Sequence, residues 1–354
     1  LLQRADVIGL TRYLVEQAEP DRIVPRIPET PIPHIRHSAV RDSPTSARAC
    51  NGRVAWLFHL IDESDAVHFD PALRQLPAEI RARYIDRLAS VAEPVLMDEV
   101  MVYSKNGAGV SVVPILLPVT SRWIRRMFES RQRGPLRDLV QRAVSLAESL
   151  GCHTAALGQF TSVVTRNGRS LTANQLRLVT GNSYTTSLII EAVTARLAEL
   201  HRPTEAQKVA IIGGGGNIGS ACAMILAQQC QQLILVGSGR PSTQSRLRAV
   251  ARDCDAIIST NLADLHRADV VICATNAVDP VVRREFLRTT AIVCDVSVPP
   301  AVPQRESHQD QDVHWIAGGI VRLPRGERIT IPGFPLPPGL TYGCMGEALL
   351  LGLE

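Results

Sequence analysis

The sequence has no hydrophobic run long enough to cross a membrane. Its longest apolar stretch, VSVVPILLPV at 110–119, contains two prolines and is about half of the ~20 residues that a transmembrane helix needs. No signal peptide is visible, and the first residue is Leu rather than Met. We therefore expect a cytoplasmic protein without a transmembrane segment, cut from a longer chain.

Cysteine motifs are also missing. The eight cysteines include no CxxC pair and have no dense or regular spacing, which argues against a disulfide framework or a zinc site. We expect reduced thiols and no bound metal. The other proportions, 45% hydrophobic and 20% charged residues, are ordinary for a globular protein. A length of 354 residues is enough for about two domains.

Lysine is nearly absent, since Lys105 and Lys208 are the only lysines and arginine supplies the other basic side chains. Arginines crowd into the segment SRWIRRMFESRQRGPLRD, namely Arg122, Arg125, Arg126, Arg131, Arg133 and Arg137. One interpretation is a solvated helix face, and the other is a docking surface for an acidic partner. Nucleic acid is disfavoured, because no recognition motif or aromatic interleaving accompanies the charge.

The first fifty residues differ from the rest of the chain. Residues 1–19 place Val7, Leu10 and Leu14 at helical spacing, which predicts one amphipathic helix. Residues 20–50 are rich in Pro, Arg and Ser without sustained periodicity, as in an extended linker. The main domains are therefore expected to begin at about residue 51.

Residues 51–200 combine strand and helix patterns and predict a first, smaller α/β domain. Its expected elements are a hairpin that turns at Asn106-Gly107, helices at 121–129 and 135–150, a strand over TAALGQFTSVVT, and a helix from an Asn182 or Ser183 cap to about Leu200.

Residues 201–320 carry the strongest motif. In KVAIIGGGGNIGS a β-branched strand breaks into glycines, and the chain resumes as the helix SACAMILAQQ. Glycine allows the backbone to turn tightly and approach a pyrophosphate, which the helix amides then hold. With the later strands LILVGS, DVVICATN and AIVCDVSV, the motif predicts a Rossmann domain with a parallel sheet. The predicted cofactor-binding residues here are Gly213, Gly214, Gly216, Asn217, Ile218, Gly219 and Thr275.

The end of the second Rossmann strand indicates which cofactor binds. NAD enzymes usually carry an acidic residue there, but no carboxylate occurs between Gly213 and Asp253. Ser238 and Arg240, in VGSGRPS, could instead receive a 2′-phosphate. We therefore predict NADPH as the cofactor.

A Rossmann domain after a smaller α/β domain suggests a two-domain dehydrogenase with its active site in the cleft. A catalytic lysine is disfavoured, because Lys105 falls in the hairpin turn and Lys208 precedes the first Rossmann strand. Cys344 follows Gly343 at the start of a helix, where free amides and the helix dipole lower a thiol pKa and favour a thiolate. Packing is the alternative role for this thiol. In either case residues 321–354 are expected to return to the cleft.

From about Val54 onward, the chain resembles the cyanobacterial long-chain acyl-[acyl-carrier-protein] reductases. The segments that carry the resemblance are AWLFHLIDESDA, ALGQFTSVV, VTGNSYTTS, GGGGNIGSA, ADVVICAT, AGGIV and GCMGEALLL. The resemblance implies that Cys344 is the acyl-accepting nucleophile and that Glu347 corresponds to the family's glutamate. Asn182, with the TGNS loop, becomes a candidate for holding the thioester oxygen. Tyr184 departs from the family's pattern, which has histidine there.

The resemblance implies NADPH-dependent reduction of an acyl thioester to an aldehyde. Residues 1–19 are similar to the last helix of an acyl carrier domain in polyketide synthases, so we expect the reductive release domain of a multidomain synthase. An acidic acyl carrier would dock through Arg122, Arg125 and Arg126. Two other hypotheses stay open: a non-covalent NADP-dependent dehydrogenase of a small carbonyl compound, and a non-catalytic NADP-binding or docking module.

Overall fold

The computed structural model describes residues 50–104, 106–303, 312–323 and 336–353. The predicted helix at 1–19, the linker up to residue 49 and Lys105 lie outside the described residues. In chain order, the strands are β1 Cys50–Leu60, β2 Val95–Leu96, β3 Val100–Tyr103, β4 Gly109–Thr120, β5 Thr154–Leu157, β6 Arg177–Val179, β7 Lys208–Ile212, β8 Gln232–Val236, β9 Ile257–Ser259, β10 Val270–Cys273, β11 Ile292–Asp295, β12 His314–Ala317, β13 Ile320–Arg322 and β14 Leu340–Tyr342. The helices are α1 Ala66–Phe69, α2 Ala78–Ala89, α3 Ser121–Glu129, α4 Gly134–Ser149, α5 Phe160–Val164, α6 Asn182–Glu199, α7 Asn217–Leu226, α8 Pro241–Cys254 and α9 Gly343–Leu353.

The first sheet has the strand order β2-β4-β1-β5-β6, and β3 also pairs with β4. The neighbours β4, β1, β5 and β6 run parallel, whereas β2 and β3 are antiparallel to β4. The longest apolar run of the sequence is strand β4, which is buried because it lies inside this sheet. The chain passes from β1 to β4 on one side and later to β5 on the other. Ligands of α/β proteins bind outside the carboxyl ends of the strands at such a reversal.

The second sheet has the order β12-β11-β10-β7-β8-β9, and all of its strands are parallel. This is the doubly wound order of a Rossmann domain, with its reversal between β7 and β10. The α/β class and the Rossmann sheet predicted from the sequence are confirmed.

Helices cover the sheets with their apolar faces. In α4, buried side chains recur three and four residues apart, at Leu136, Leu139, Val140, Ala143, Val144 and Ala147. In α6, the buried residues Ile189, Val193 and Leu197 join the core of the second sheet, although the helix lies within the range predicted for the first domain. Helix α6, which follows the last strand of the first sheet, thereby packs on the second sheet.

The end of the chain returns to the first sheet. Strand β14 pairs antiparallel with β13, and α9 then packs against β1, β5 and α6. Glycine allows the last turn of α9 to come close, because a methyl group on Gly352 would lie 2.7 Å from a side-chain carbon of Val54. The helix that begins with Gly343-Cys344 is therefore anchored on the first sheet.

Three sequence-based boundaries were wrong. The strand predicted over TAALGQFTSVVT ends at Leu157, and α5 follows, because Gln159 has a φ of 55° and turns the chain. Helix α6 is capped by Gly181 rather than by Asn182 or Ser183, and Asn182 is its first residue. Helix α7 begins at Asn217, before the predicted SACAMILAQQ.

The described part of the chain contains no helix that is long and apolar enough to span a bilayer.

Candidate active site

A cleft of about 150 Å³ opens between the carboxyl ends of the strands of the two sheets. The loops after β5 and β6 contribute one wall, and those after β7, β10, β11 and β12 contribute the other. The start of α9 forms part of the lining. Among the predicted site residues, those that line the cleft are Asn182, Gly216, Asn217, Ile218, Thr275 and Cys344.

The glycine loop between β7 and α7 fits a dinucleotide pyrophosphate. Gly213 has a φ of 80°, and a methyl group there would lie 2.2 Å from the Ala274 carbonyl oxygen. A methyl group on Gly219 would lie 2.4 Å from the Gly213 carbonyl oxygen. Since Gly216 caps α7 without a side chain, no side-chain oxygen occupies the first amides of the helix. The first amides of α7 therefore stay available for an anion.

Ser238 and Arg240 are exposed beyond the carboxyl end of β8, beside the glycine loop. The Ser238 hydroxyl donates to Thr243 Oγ1 at 3.2 Å, and Arg240 precedes Pro241 at the start of α8. Sequence reasoning missed Arg246, whose Cβ would be 3.1 Å from a methyl group on Gly215. Its place on α8, beside the loop, depends on how that helix packs, so no sequence motif could indicate it.

Gly214 and Thr275 shape the same end of the sheet. A methyl group on Gly214 would lie 2.9 Å from the Leu235 side chain, so the glycine keeps β7 and β8 close to the loop. The Thr275 amide donates to Ser297 Oγ at 3.2 Å, and its hydroxyl accepts from the Ala277 amide at 3.3 Å. These bonds fix the loop after β10 opposite Gly213.

Lys208 is at the opposite end of β7 from the glycine loop. Its backbone amide donates to Asp269 Oδ2 at 2.8 Å. Lys208, the first residue of β7, therefore does not reach the cleft, which agrees with the case against a catalytic lysine there.

Cys344 is the second residue of α9 and is closely surrounded by backbone. A methyl group on Gly181 would lie only 1.9 Å from Cα of Cys344, and one on Gly158 would lie 3.9 Å from its sulfur. The backbone N–H groups of Gln159, Cys344 and Met345 face the thiol and favour its ionised form. The turn after β5 thus brings Gly158 and the Gln159 amide to the sulfur, while Gly181, after β6, packs on the Cys344 backbone.

Burial raises the pKa of the Cys344 thiol to about 11, despite these amides. The expected lowering by the helix amino terminus is therefore wrong for this residue. A helix terminus contributes only about 0.3–1 kcal/mol, whereas removing a thiolate from water costs more. The resting thiol is neutral.

Glu347 lies one turn after Cys344 and is half-buried. Burial raises the pKa of its carboxyl, while a hydrogen bond from the Gly181 amide opposes the rise. Tyr184, which stands where the resembling family has histidine, packs its ring 2.9 Å from the position of a methyl group on Gly346. Glu347 and Cys344 are thus both in the first two turns of α9.

The two cysteines in the central strands of the Rossmann sheet are fully buried. Cys273 in β10 and Cys294 in β11 have no exposed surface. Burial raises the pKa of Cys294 to about 12 and that of Cys273 well above its usual value. All seven cysteines whose side chains the structure describes are free thiols. Cys273 and Cys294 have the environment of packing residues.

The predicted docking arginines all lie on α3, where Arg122 and Arg126 are exposed and Arg125 is half-buried. Arg122 pairs with Asp279 at 3.3 Å, and Arg125 pairs with Glu129 at 3.0 Å. Arg126 pairs with Asp86. Each guanidinium therefore already has an acidic partner within the chain, which reduces the net positive field of this face.

Sequence reasoning also missed Gln159, which lines the cleft, and His59, which lies behind it. His59, at the end of β1, is buried, and its ring Nε2 accepts from the Phe160 amide at 3.2 Å. The His59 amide donates to Gln159 Oε1 at 3.0 Å. Gln159 lies in the segment ALGQFTSVV, but its contact with a residue a hundred positions away leaves no local pattern.

Two comparisons find known proteins that are similar to this chain. A sequence model of the shikimate / quinate 5-dehydrogenase family matches residues 196–316. The long-chain acyl-[acyl-carrier-protein] reductase of Synechococcus elongatus is 25% identical over 279 residues, which are 75% of this chain and 79% of the relative. Together these matches support an NAD(P)-dependent oxidoreductase.

Solved structures resemble parts of the chain only distantly. The transhydrogenase from Sinorhizobium meliloti has a TM-score of 0.30 at 14% identity, over 38% of this chain and 46% of that one. L-tryptophan dehydrogenase from Nostoc punctiforme has a TM-score of 0.35 at 13% identity, over 72% of this chain and 65% of that one. Both matches span less than two thirds of the solved chain.

Proposed function

We propose that this protein reduces an acyl thioester to a free aldehyde with NADPH, through an acyl group carried on Cys344. The observation behind the proposal is that the Cys344 thiol and the glycine loop of the dinucleotide site line one cleft. A thiol facing a hydride-donor site can accept an acyl group and present its carbonyl carbon for reduction. The 25% identity to an acyl-[acyl-carrier-protein] reductase supports the same chemistry.

Acylation requires that the Cys344 thiol lose its proton, because the pKa of about 11 leaves almost no thiolate near neutral pH. Glu347 is the base in this proposal. Burial raises the pKa of its carboxyl, which makes the carboxylate a better proton acceptor. Once it takes the proton, Glu347 is neutral and no longer repels the thiolate.

The acyl transfer then balances without another reactant. The Cys344 sulfur forms a bond to the acyl carbon, the bond from that carbon to the donor sulfur breaks, and the donor thiol leaves with the proton from Glu347. Asn182 lines the cleft at the start of α6, and in this proposal it holds the thioester oxygen. The amides around the sulfur stabilise negative charge on the same oxygen as the carbonyl is attacked.

The dinucleotide would be held by the residues of the second sheet. Gly213, Gly216 and Gly219 leave room for the pyrophosphate, and Asn217 and Ile218 begin the helix beside it. Ser238 and Arg240 would bind the 2′-phosphate. When bound, NADPH supplies the hydride that reduces the acyl carbon to the aldehyde level. Release of the aldehyde returns the Cys344 thiolate, which recovers a proton.

The partner in this proposal is an acidic acyl carrier that docks on α3. Arg122, Arg125 and Arg126 lie on one helix, and the first and last of them are exposed, which supports the proposal. The carrier's carboxylates would exchange with the acidic partners that these arginines have in the free chain. Such exchange gives orientation and association rate more than affinity. The remaining arginines of the cluster, Arg131, Arg133 and Arg137, are exposed as well.

The decisive experiment compares the parent with Cys344→Ala in the absence and presence of NADPH. We expect mass spectrometry to find an acyl adduct on Cys344 in the parent alone. Aldehyde formation should be lost in the variant, while NADPH binding stays within about twofold, because the glycine loop lies on a separate segment. Cys344→Ser should be nearly as inactive, since a hydroxyl ionises far less than a thiol.

The control is Cys294→Ala, which removes a buried thiol of the Rossmann core. It should lower the melting temperature but keep the rate per folded molecule. If Cys344→Ala produces aldehyde at the parent rate, the covalent mechanism is wrong and a non-covalent dehydrogenase is favoured. If the parent binds NADPH but reduces nothing, a binding module is favoured.

A further inference from the structure

The turn after β5 holds a strained residue directly beside the thiol. Gln159 has φ 55° and ψ −127°, a backbone conformation that residues other than glycine rarely adopt. Its neighbour Gly158 also lies close to the sulfur, since a methyl group there would be 3.9 Å from Sγ of Cys344. The turn is thus kept in an unfavourable shape at the point where it meets the proposed nucleophile. Strain of this kind persists only where surrounding contacts fix it.

His59 supplies those contacts from beneath the turn. Its backbone N–H donates to Gln159 Oε1 at 3.0 Å, and its ring Nε2 accepts from the Phe160 N–H at 3.2 Å. The rings of His59 and Phe160 also pack together, with centroids 5.7 Å apart. One buried residue therefore holds both the side chain of Gln159 and the backbone that follows it.

The hydrogen bonds define the state of the His59 ring. Because Nε2 accepts a bond, the ring proton is on Nδ1, which donates to the Leu60 carbonyl oxygen at 2.7 Å. Burial lowers the pKa of His59 to about 4, which agrees with a neutral ring. A neutral, buried imidazole with both nitrogens engaged does not exchange protons with the substrate. Its contribution is geometric.

We propose that His59 is a positioning residue that fixes the Gln159 N–H toward the sulfur of Cys344 and the acyl oxygen attached to it. The inference rests on the proposed function, because it assigns a task within the acylation step. The Gln159 amide already faces the thiol in the free enzyme. When the sulfur carries an acyl group, the same N–H lies within reach of its carbonyl oxygen, where negative charge develops. Without His59 the turn relaxes and this donor moves away.

Two variants of one residue test the assignment. His59→Leu removes the ring acceptor of the Phe160 N–H, while His59→Gln retains a carbonyl oxygen near the position of Nε2. With decanoyl-pantetheine as the acyl donor, we expect the rate of acyl-enzyme formation to fall about 10- to 100-fold in His59→Leu, the range for a weakened oxyanion donor. KM should change by less than about threefold. His59→Gln should recover most of the rate.

The carbonyl stretching band of the trapped acyl-enzyme gives a readout that packing alone does not move. A hydrogen bond to the acyl oxygen lowers this frequency, so the band should shift upward in His59→Leu and return in His59→Gln. Gln159→Leu, a half-exposed position, provides a second variant should His59→Leu not fold. It removes the acceptor of the His59 N–H and should shift the band in the same direction.

A separate measurement keeps this inference distinct from the proposed function. Alkylation of Cys344 by iodoacetamide needs no acyl donor, and at pH 8 it should slow by about threefold or more in His59→Leu and in Gln159→Leu, because the thiolate loses an amide donor. If the parent forms no acyl adduct, the proposed function fails, and alkylation alone decides whether His59 acts on the sulfur. Unchanged rates and an unchanged band in folded His59→Leu would show that His59 only fills space.

Discussion

Replacing Gly181 by alanine should displace the start of α9 and with it the proposed nucleophile. Gly181 has a φ of 70°, and its added methyl group would lie 1.9 Å from Cα of Cys344, 2.5 Å from its Cβ and 2.8 Å from its nitrogen. All of these atoms belong to a packed helix start rather than to the tip of a flexible side chain. Relief requires a relative movement of about 1.5 Å to reach ordinary van der Waals contact.

The expected magnitude has two parts. Alanine in the left-handed region costs about 1–2 kcal/mol of folding free energy. Forcing the helix start and the Gly181 loop apart adds about 1–3 kcal/mol of overpacking. A shift of about 1 Å at a reacting group can also lower the rate about 100-fold. Gly181→Ala should therefore lose both stability and acylation rate.

Gly151 provides the matched control. It has a φ of 74°, but a methyl group there would have no atom within 4 Å. Gly151→Ala has only the free-energy cost of alanine in the left-handed region. The difference in unfolding free energy between the two variants therefore isolates the contact with α9. We expect Gly181→Ala to be about 1–3 kcal/mol less stable than Gly151→Ala, measured by urea unfolding. Its acylation rate should be about 100-fold lower than that of the control. Equal stability and equal rates in the two variants would refute the proposed packing of Cys344.

Three other expectations concern the cofactor, the carrier and pH. NADPH should bind more tightly than NADH by fluorescence titration, and Arg240→Ala should remove most of the difference; equal affinity in the parent would contradict the cofactor assignment. An acyl group on a carrier should react faster than on a short thiol, with an advantage that falls as salt rises; an advantage unaffected by salt and by Arg125→Glu with Arg126→Glu would make α3 only a solvated face. His59 has a folded pKa of about 4 against 6.5 for the free side chain, so below pH 6.5 the unfolded chain binds a proton that the folded chain does not. The parent should lose about 3 kcal/mol more stability than His59→Gln between pH 6.5 and 4, and identical pH profiles would exclude this linkage.

Local patterns were enough to predict much of the fold. The segment KVAIIGGGGNIGS predicted the Rossmann sheet, since it joins a β-branched strand, a glycine loop and the start of a helix. The glycine spacing is a local signal, because backbone sterics within one turn require it. The hairpin at Asn106-Gly107 and the helices at 121–129 and 135–150 were also predicted from local patterns. In the structure, β3 and β4 pair antiparallel across the turn, and α3 and α4 lie within a residue of the predicted limits. Turn preference and apolar spacing are local properties.

The candidate site depended on contacts that no local pattern records. The sequence by itself singled out Cys344 at a helix start and predicted a lowered pKa, since a helix terminus is visible in the sequence. Only the tertiary structure showed that burial reverses the direction and raises the pKa to about 11. Desolvation depends on every element that packs around the sulfur, and those elements come from β5, α6 and the end of the chain. The support of Gln159 by His59 was decided in the same way, because the parallel pairing of β1 with β5 brings residues about a hundred positions apart to the same edge of the sheet.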